Sequence, residues 1–383
     1  MKLPIYLDHA ATTPVAPEVI EAMLPYFAET YGNPATLYAA GAEARDAVDS
    51  ARESIARAIG AEPEEVYFTS GGTEADNWAI KGMAASAPES RRHLLTTPIE
   101  HHAVLDPCLS LSNAGFHVEF VPVDSQGFVE PAELAKRMRR ETFLVSVMHA
   151  NNEVGSIQSV AEIGALCRER AIPFHTDAVQ ALGKLPIDAC AMGASLVSVS
   201  AHKLYGPKGI GALYVRRGTR ITSFMEGGEQ EKGRRAGTLN VPGIVGFHIA
   251  VERAGIVAAE ENGRLESLRD RLIAGIEQSI SAAWLMGARD ERLCNNAHFC
   301  FDGVEGESLL LALDQAGIYA SAGSACTTGS VEPSHVLLAM GVPVERARGA
   351  VRFTLGTSTT EQGIDYTVVQ LSRIVETLRS LSH

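Results

Sequence analysis

The sequence is short of positive charge. Lysine and arginine together number 33 against 46 acidic residues, giving a net charge of −13. Phosphate backbones and anionic membrane surfaces need clustered cations, so neither nucleic acid nor a membrane is expected as the main partner. Local clusters, Arg216, Arg217 and Arg220 beside Lys232, Arg234 and Arg235, do not reverse that balance. The six cysteines, at 108, 167, 190, 294, 300 and 326, include no C-x-x-C and are scattered. That excludes a disulfide framework and ordinary zinc-ligand spacing, and it points to a reducing, cytoplasmic compartment. No run of 18 apolar residues occurs, and Asp8 and His9 interrupt the early apolar stretch. Neither a membrane span nor a leader is therefore expected. Also missing are G-x-G-x-x-G, G-x-x-x-x-G-K-[ST] and G-x-S-x-G. Their absence argues against dinucleotides, Walker-type triphosphates and the hydrolase elbow.

What is present reads as an ordinary globular chain, 46% hydrophobic and 21% charged over 383 residues, which excludes intrinsic disorder. Short apolar strands are predicted at 66–69, 92–96, 117–121, 142–148, 172–175, 196–200 and 210–215, with helices at 103–113, 131–138 and 160–170 between them. Strand and helix in alternation imply an α/β fold with a mainly parallel sheet. The texture then changes: a long helical region at 243–281, a strand at 297–301, a helix at 306–316 and a strand at 351–355. Ile364, Val368, Leu371, Val375 and Leu378 lie on one stripe of a final helix, with Thr359 and Gln362 as its expected capping box. We expect a large α/β domain over 15–249, and a smaller α+β domain made of 1–14 and 250–383.

Ligands of such sheets bind beyond the carboxyl ends of the strands. After 66–69 comes Ser70-Gly71-Gly72-Thr73-Glu74, a Gly-rich turn opening a helix. Backbone N–H groups and the positive end of the helix dipole suit a phosphate there, although a plain βα turn would also need glycine. After 172–175 comes Asp177. It would either pair with a protonated ring nitrogen or cap the next turn. After 196–200 comes Ala201-His202-Lys203, and the chain holds only seven lysines. A desolvated lysine at that place could form a Schiff base, with Ser200 and His202 at a phosphate. An ordinary loop lysine is the alternative. Together, a phosphate cradle, an acid for a pyridinium nitrogen and a lysine are what pyridoxal 5′-phosphate (PLP) requires.

Further candidates follow other strands. His101 or His102 could stack on a ring and exchange protons. Their Glu100-His101-His102 setting lacks H-E-x-x-H spacing, and no metal site is predicted. The amides of Asn151 and Asn152 suit a phenolic oxygen or a carboxylate. The small-residue segment 321–330 reads as a mobile loop presenting Cys326 as a nucleophile. Arg352 could clamp a substrate carboxylate. Polar loops, a turn cysteine and a surface ion pair are the bland alternatives.

These blocks carry a family resemblance. Tyr6-Leu7-Asp8-His9-Ala10-Ala11-Thr12-Thr13, 70–77, Glu100-His101, Asn151-Asn152-Glu153, 175–180, 200–203, Arg235-Ala236-Gly237-Thr238, Gly323-Ser324-Ala325-Cys326 and Arg352-Phe353 run nearly end to end. The chain resembles the NifS/IscS-like cysteine desulfurases of the class V aminotransferase group. The resemblance implies the PLP-transferase type I fold with a seven-stranded sheet. It implies that Lys203 carries PLP and moves the Cα proton, that Asp177 pairs with the ring nitrogen, and that His101 stacks on the ring. It places Gln180 and Asn152 at the phenolic oxygen and the substrate side. Gly72, Thr73, Ser200 and His202 would hold the phosphate, reached by Thr238 from the other subunit of a homodimer. Arg352 would hold the carboxylate of L-cysteine, and Cys326 would take its sulfur. The products would be L-alanine and a Cys326 persulfide, passed to a sulfur acceptor or iron–sulfur scaffold protein. Cys326 is also the residue an iron–sulfur cluster would touch in passing. A selenocysteine lyase, a cysteine-sulfinate-type lyase and an aminotransferase are the rivals within the group, and a non-catalytic docking subunit is the rival outside it. One departure is Asn33-Pro34-Ala35-Thr36-Leu37-Tyr38, where the family often has Asn-Pro-Ser-Ser-x-His.

Overall fold

A computed structural model describes residues 4–323 and 333–381. Twelve strands follow in chain order: β1 (Ile5–Tyr6), β2 (Val66–Thr69), β3 (His93–Thr96), β4 (His117–Phe120), β5 (Thr142–Ser146), β6 (Phe174–Asp177), β7 (Leu196–Ser200), β8 (Gly211–Val215), β9 (Ala283–Met286), β10 (Asn296–Phe301), β11 (Ile318–Tyr319) and β12 (Ala350–Thr354). Seven of them form one sheet in the order β2-β8-β7-β6-β5-β3-β4. β8 is antiparallel to both neighbours, and the other pairs are parallel. β2 therefore runs the same way as β3 to β7, and only β8 is reversed. All strands of this sheet except the edge strand β4 are buried throughout. A parallel sheet covered by helices on both faces demands such near-continuous apolar runs, which is why the sequence displays them so plainly.

A second, smaller sheet has the order β12-β10-β9 with antiparallel pairing, while β1 pairs with β11 in parallel. The first residues of the chain thus pack with its last quarter. Each region has its own core. One is built from residues such as Ile55, Phe68, Phe174, Val197 and Phe247. The other holds Leu7, Leu272, Phe299, Phe353 and Leu371. The helix Val241–Ser279 belongs to both: Val241 to Val251 enter the first core, Leu265 to Ile276 the second. It contains an 18-residue window of mean hydropathy 1.4, and its apolar face is spent on these two cores.

Two expectations shift. β6 runs on to Asp177, so the acid ends the strand rather than following it. The last helix starts at Glu361, and Thr360 caps it by accepting the Gly363 N–H at 3.1 Å. Thr359 instead closes the preceding turn, accepting the Gly356 N–H at 3.0 Å, so the Thr359–Gln362 capping box does not form. The expected stripe holds, with Ile364, Leu371 and Val375 buried.

Candidate active site

Because β2, β3, β5, β6 and β7 run the same way, the segments that leave them emerge at one edge of the sheet. A cavity of about 370 Å³ lies there. Its wall holds Gly72 and Thr73 after β2, His101 after β3, Asn152 after β5, Asp177 and Gln180 at and after β6, and His202 and Lys203 after β7. Arg352, from β12 of the small sheet, closes the wall with Ala10 and Ala11 of the N-terminal segment. Ser200 lines an adjoining depression with Ser70, Gly71, Thr73, His202 and Lys208. Nine of the predicted residues therefore meet in one cavity, and Ser200 borders it. Thr238 does not join them: it is exposed. Its loop reaches the Gly-rich turn through Arg235, whose Nε and Nη2 donate to Glu74 at 2.7 and 3.0 Å. Cys326 lies outside the described residues. Gly323 and His335, flanking that stretch, both line the cavity.

Asp177 is buried at the end of its strand. Its Oδ1 accepts the Val179 N–H at 2.9 Å, so the capping role holds, and the residue also faces the cavity. Burial lifts its carboxyl to about 6, opposed by the Val179 N–H and the charge of Lys203. Asp76, one turn beyond Thr73 in the helix Gly72–Ser86, is also buried and lines the cavity. Burial and the neighbouring Asp177 push its carboxyl well above the usual range. Two carboxyls so close in a dry site do not both ionise readily. Asp177 keeps the charge, because a backbone N–H and Lys203 favour it. Glu100 is a third buried acid. It accepts from the Thr97 hydroxyl at 2.8 Å and the Met148 N–H at 3.0 Å, and burial raises it to about 8.

Lys203 sits in a single turn of 3₁₀ helix, Ala201–Lys203. Its Nζ donates to the carbonyls of Ala10 and Ala11 at 2.5 and 2.7 Å, and the Gln180 amide donates to the same Ala10 carbonyl at 3.0 Å. His101 caps the helix His102–Asn113: its Nδ1 accepts the Ala103 N–H at 3.0 Å. Burial, then Lys203, lower it to about 4, so it is a neutral imidazole at pH 7. His202 is likewise lowered to about 4, first by burial. Asn151 has a structural task, accepting the Glu153 and Val154 N–H groups at 2.9 Å. Asn152 keeps a buried side-chain oxygen without a partner.

Arg352 is not a surface ion pair. It is 2% exposed. Its Nη2 donates to Asp8 at 2.8 Å, and its Nη1 to the carbonyls of Asn152 at 3.0 Å and Gly323 at 3.3 Å. Its Nε is buried with no partner, an unusual state for so strong a donor.

The residues fit PLP. Ser200 Oγ is buried and unpartnered beside the Gly-rich turn. Gly71 has φ of 148°, where only glycine is at ease. A Cβ on Gly72 would meet Val179 at 2.7 Å, so the backbone must stay bare where a phosphate would approach. Sequence reasoning gave no role to Asp76, Glu100, Asp8, Lys208 or the Ala10 and Ala11 carbonyls; Asp76 carried a helical signal, since i, i+3 spacing puts it on the face of Thr73.

This sheet edge is the working edge of PLP enzymes with the type I transferase fold. Residues 5–367 match the family model described as aminotransferase class-V. A cysteine desulfurase IscS of Dictyoglomus turgidum is 50% identical over 382 residues, covering 100% of this chain and 97% of the relative. Among solved structures, a NifS-like protein superposes with a TM-score of 0.92 at 39% identity, covering 98% of this chain and 100% of the other. A structure of SspA in complex with cysteine gives 0.81 at 36% identity, covering 92% and 98%. The chain belongs to the class-V aminotransferase family and, within it, to the NifS/IscS-like cysteine desulfurases. Its cofactor is PLP.

Proposed function

We propose that the protein removes sulfur from L-cysteine, leaving L-alanine and a persulfide on Cys326, and passes that sulfur to an acceptor protein for iron–sulfur or other thio-cofactor assembly. The carrying observation is the convergence of Lys203, Asp177, His101 and Arg352 on one cavity whose wall includes Gly323, three residues before Cys326. Bound PLP supplies an electron sink for negative charge developing at the substrate Cα. Lys203 holds the cofactor and moves the Cα proton. Asp177, charged where Asp76 is not, holds the proton on the ring nitrogen. Ser200, His202, Thr73 and the N–H groups behind Gly72 hold the phosphate. Asn152, Gln180 and neutral His101 border the ring. Arg352 turns its unpartnered Nε toward a carboxylate of the class that L-cysteine carries. Cys326 takes the sulfur as a thiolate.

The described cysteines favour this division of labour. Five are free thiols and none lines the cavity. Burial pushes Cys167 and Cys300 up to about 12 and Cys108 higher still, so these three are poor nucleophiles. A relative of this fold, SspA, has been solved in complex with cysteine, the amino acid proposed here as substrate.

The working unit in this reading is a cytoplasmic homodimer, with Thr238 serving the partner's phosphate site. Leu24, Phe27, Tyr31, Leu37 and Tyr38 are exposed in one stretch of chain, which in this reading lies at the subunit interface. The large domain is 15–249, and 1–14 with 250–383 form the small one. Two separate cores support that division, with one helix bridging them. The test is alanine release from L-cysteine by wild type and Lys203→Ala. Alanine from the first and none from the second is expected. Pyruvate in place of alanine from wild type would overturn the reading.

A further inference from the structure

We propose that His93, His117 and Glu119 form a binding site for a divalent first-row transition ion of the Zn²⁺ class, at the edge of the seven-stranded sheet. None of these residues lines the cavity described above, and the inference stands independently of the desulfurase reading.

The site follows from strand register. β3 and β4 pair in parallel with His93 directly opposite His117. Alternation along a strand puts Glu119, two residues on, on the same face as His117. Glu119 Oε2 lies 3.3 Å from His93 Nε2 and 3.8 Å from His117 Nε2. All three ligand atoms fall within 4.8 Å of one another. A tetrahedral ion with bonds of about 2.0–2.1 Å separates its ligand atoms by roughly 3.4 Å, so small side-chain movements complete the geometry. Two imidazoles and one carboxylate leave a fourth position for water. Imidazole donors select zinc and its neighbours over magnesium or calcium.

The buried member looks prepared. His93 is 2% exposed. Its Nδ1 lies 2.9 Å from the Thr142 hydroxyl on β5, the kind of outer contact that fixes the orientation of a metal-binding imidazole. Its Nε2 is buried and faces Glu119 Oε2, 3.3 Å away.

Two cations oppose the ion. Arg139 Nη2 lies 2.5 Å from Glu119 Oε2, and Arg137 Nε lies 3.5 Å from Oε1. Arg137 holds the other oxygen and can stay. Arg139 has 49% of its side chain exposed and must swing into water when the ion arrives. Binding is therefore weaker than for the same three ligands without these neighbours, and Arg139 sets much of the difference. An ion held there would clip the edge strand β4 to β3 and protect an edge otherwise open to fraying.

The test uses PLP-loaded enzyme stripped of metal by a chelator. Zn²⁺ is titrated by calorimetry, and Co²⁺ is followed by its visible absorbance, which is strong only in tetrahedral surroundings. Wild type is expected to bind one more ion than His117→Ala or Glu119→Gln, and Arg139→Ala to bind that ion at least threefold more tightly. Thermal unfolding without metal verifies that the variants fold. His117 and Glu119 are on the sheet edge, so alanine formation without metal should be unchanged. Equal stoichiometry and affinity in wild type and both ligand variants, or no binding by wild type, would overturn the proposal.

Discussion

Replacing Arg352 by lysine keeps the charge and removes the planar fork. In the wild type, the two Nη atoms are already engaged with Asp8 and with the carbonyls of Asn152 and Gly323. The buried Nε has no partner and, in the proposed reading, is the donor left for a substrate carboxylate. A lysine ammonium in this position can reach Asp8 or the carbonyls, but it cannot present a second, separately aimed donor. A hydrogen bond to a charged group contributes about 1.5–3 kcal/mol, and each 1.36 kcal/mol is a factor of ten in rate. Arg352→Lys should therefore lower kcat/KM for L-cysteine roughly 10- to 150-fold. The assay is alanine formation across a range of L-cysteine concentrations. PLP absorbance and thermal unfolding serve as controls, because Arg352 also joins β12 to the Asn152 segment. A loaded, folded variant within threefold of wild type would refute the reasoning, since it would mean that Nε never meets the carboxylate.

Other perturbations probe the buried acids and one remote anchor. Glu100 has its carboxyl raised from 4.5 to about 8. In the unfolded chain it ionises first, so its contribution to stability is complete below about 4.5 and is lost as pH rises through about 8. Glu100→Gln keeps the acceptor for Thr97 and Met148, and should flatten the fall of urea midpoints across that window; parallel curves would contradict it. Asp177→Asn should retain PLP absorbance through Lys203 yet lose at least ~100-fold in alanine formation, because the ring nitrogen loses its anionic partner. Full activity would show that Asp76 or Glu100 supplies the charge instead. Glu231, buried at φ 47°, accepts from Arg52 at 2.6 and 2.9 Å and from the Phe68 N–H at 2.7 Å. Glu231→Ala strands the Phe68 amide and leaves Arg52 with only the Val66 carbonyl, 2.6 Å from its Nη1, and should cost about 3–5 kcal/mol in denaturant unfolding. A loss below 1 kcal/mol would mean that water reaches both.

Much of this was readable in advance for a physical reason. A strand buried on both faces must be apolar throughout, so β2, β5, β7 and β8 stand out, and the residues at their ends announce the cavity. The strands that escaped notice are short or half-covered. β1 and β11 have two residues each, and Trp284 in β9 is exposed. Lys203, Asp177 and Arg352 could be picked out as unusual residues beside apolar strands. Their partners could not. Lys203 is held by carbonyls 192 and 193 positions away, and Arg352 by a carboxylate 344 away. Backbone carbonyls leave no mark in a sequence. Helical spacing puts Asp76 on the face of Thr73, but only the approach of β6 makes it the neutral neighbour of Asp177. Thr359 and Thr360 offered equivalent hydroxyls, and the turn at Gly356 decided which one caps.

The most direct test of the central claim is a single-turnover incubation of L-cysteine with PLP-loaded wild type and Cys326→Ala, reading alanine and protein-bound persulfide together. The account predicts one alanine and one persulfide per active site in the wild type, with neither from the variant although its PLP absorbance is intact. Equal alanine from both proteins, with persulfide absent from position 326, would contradict it.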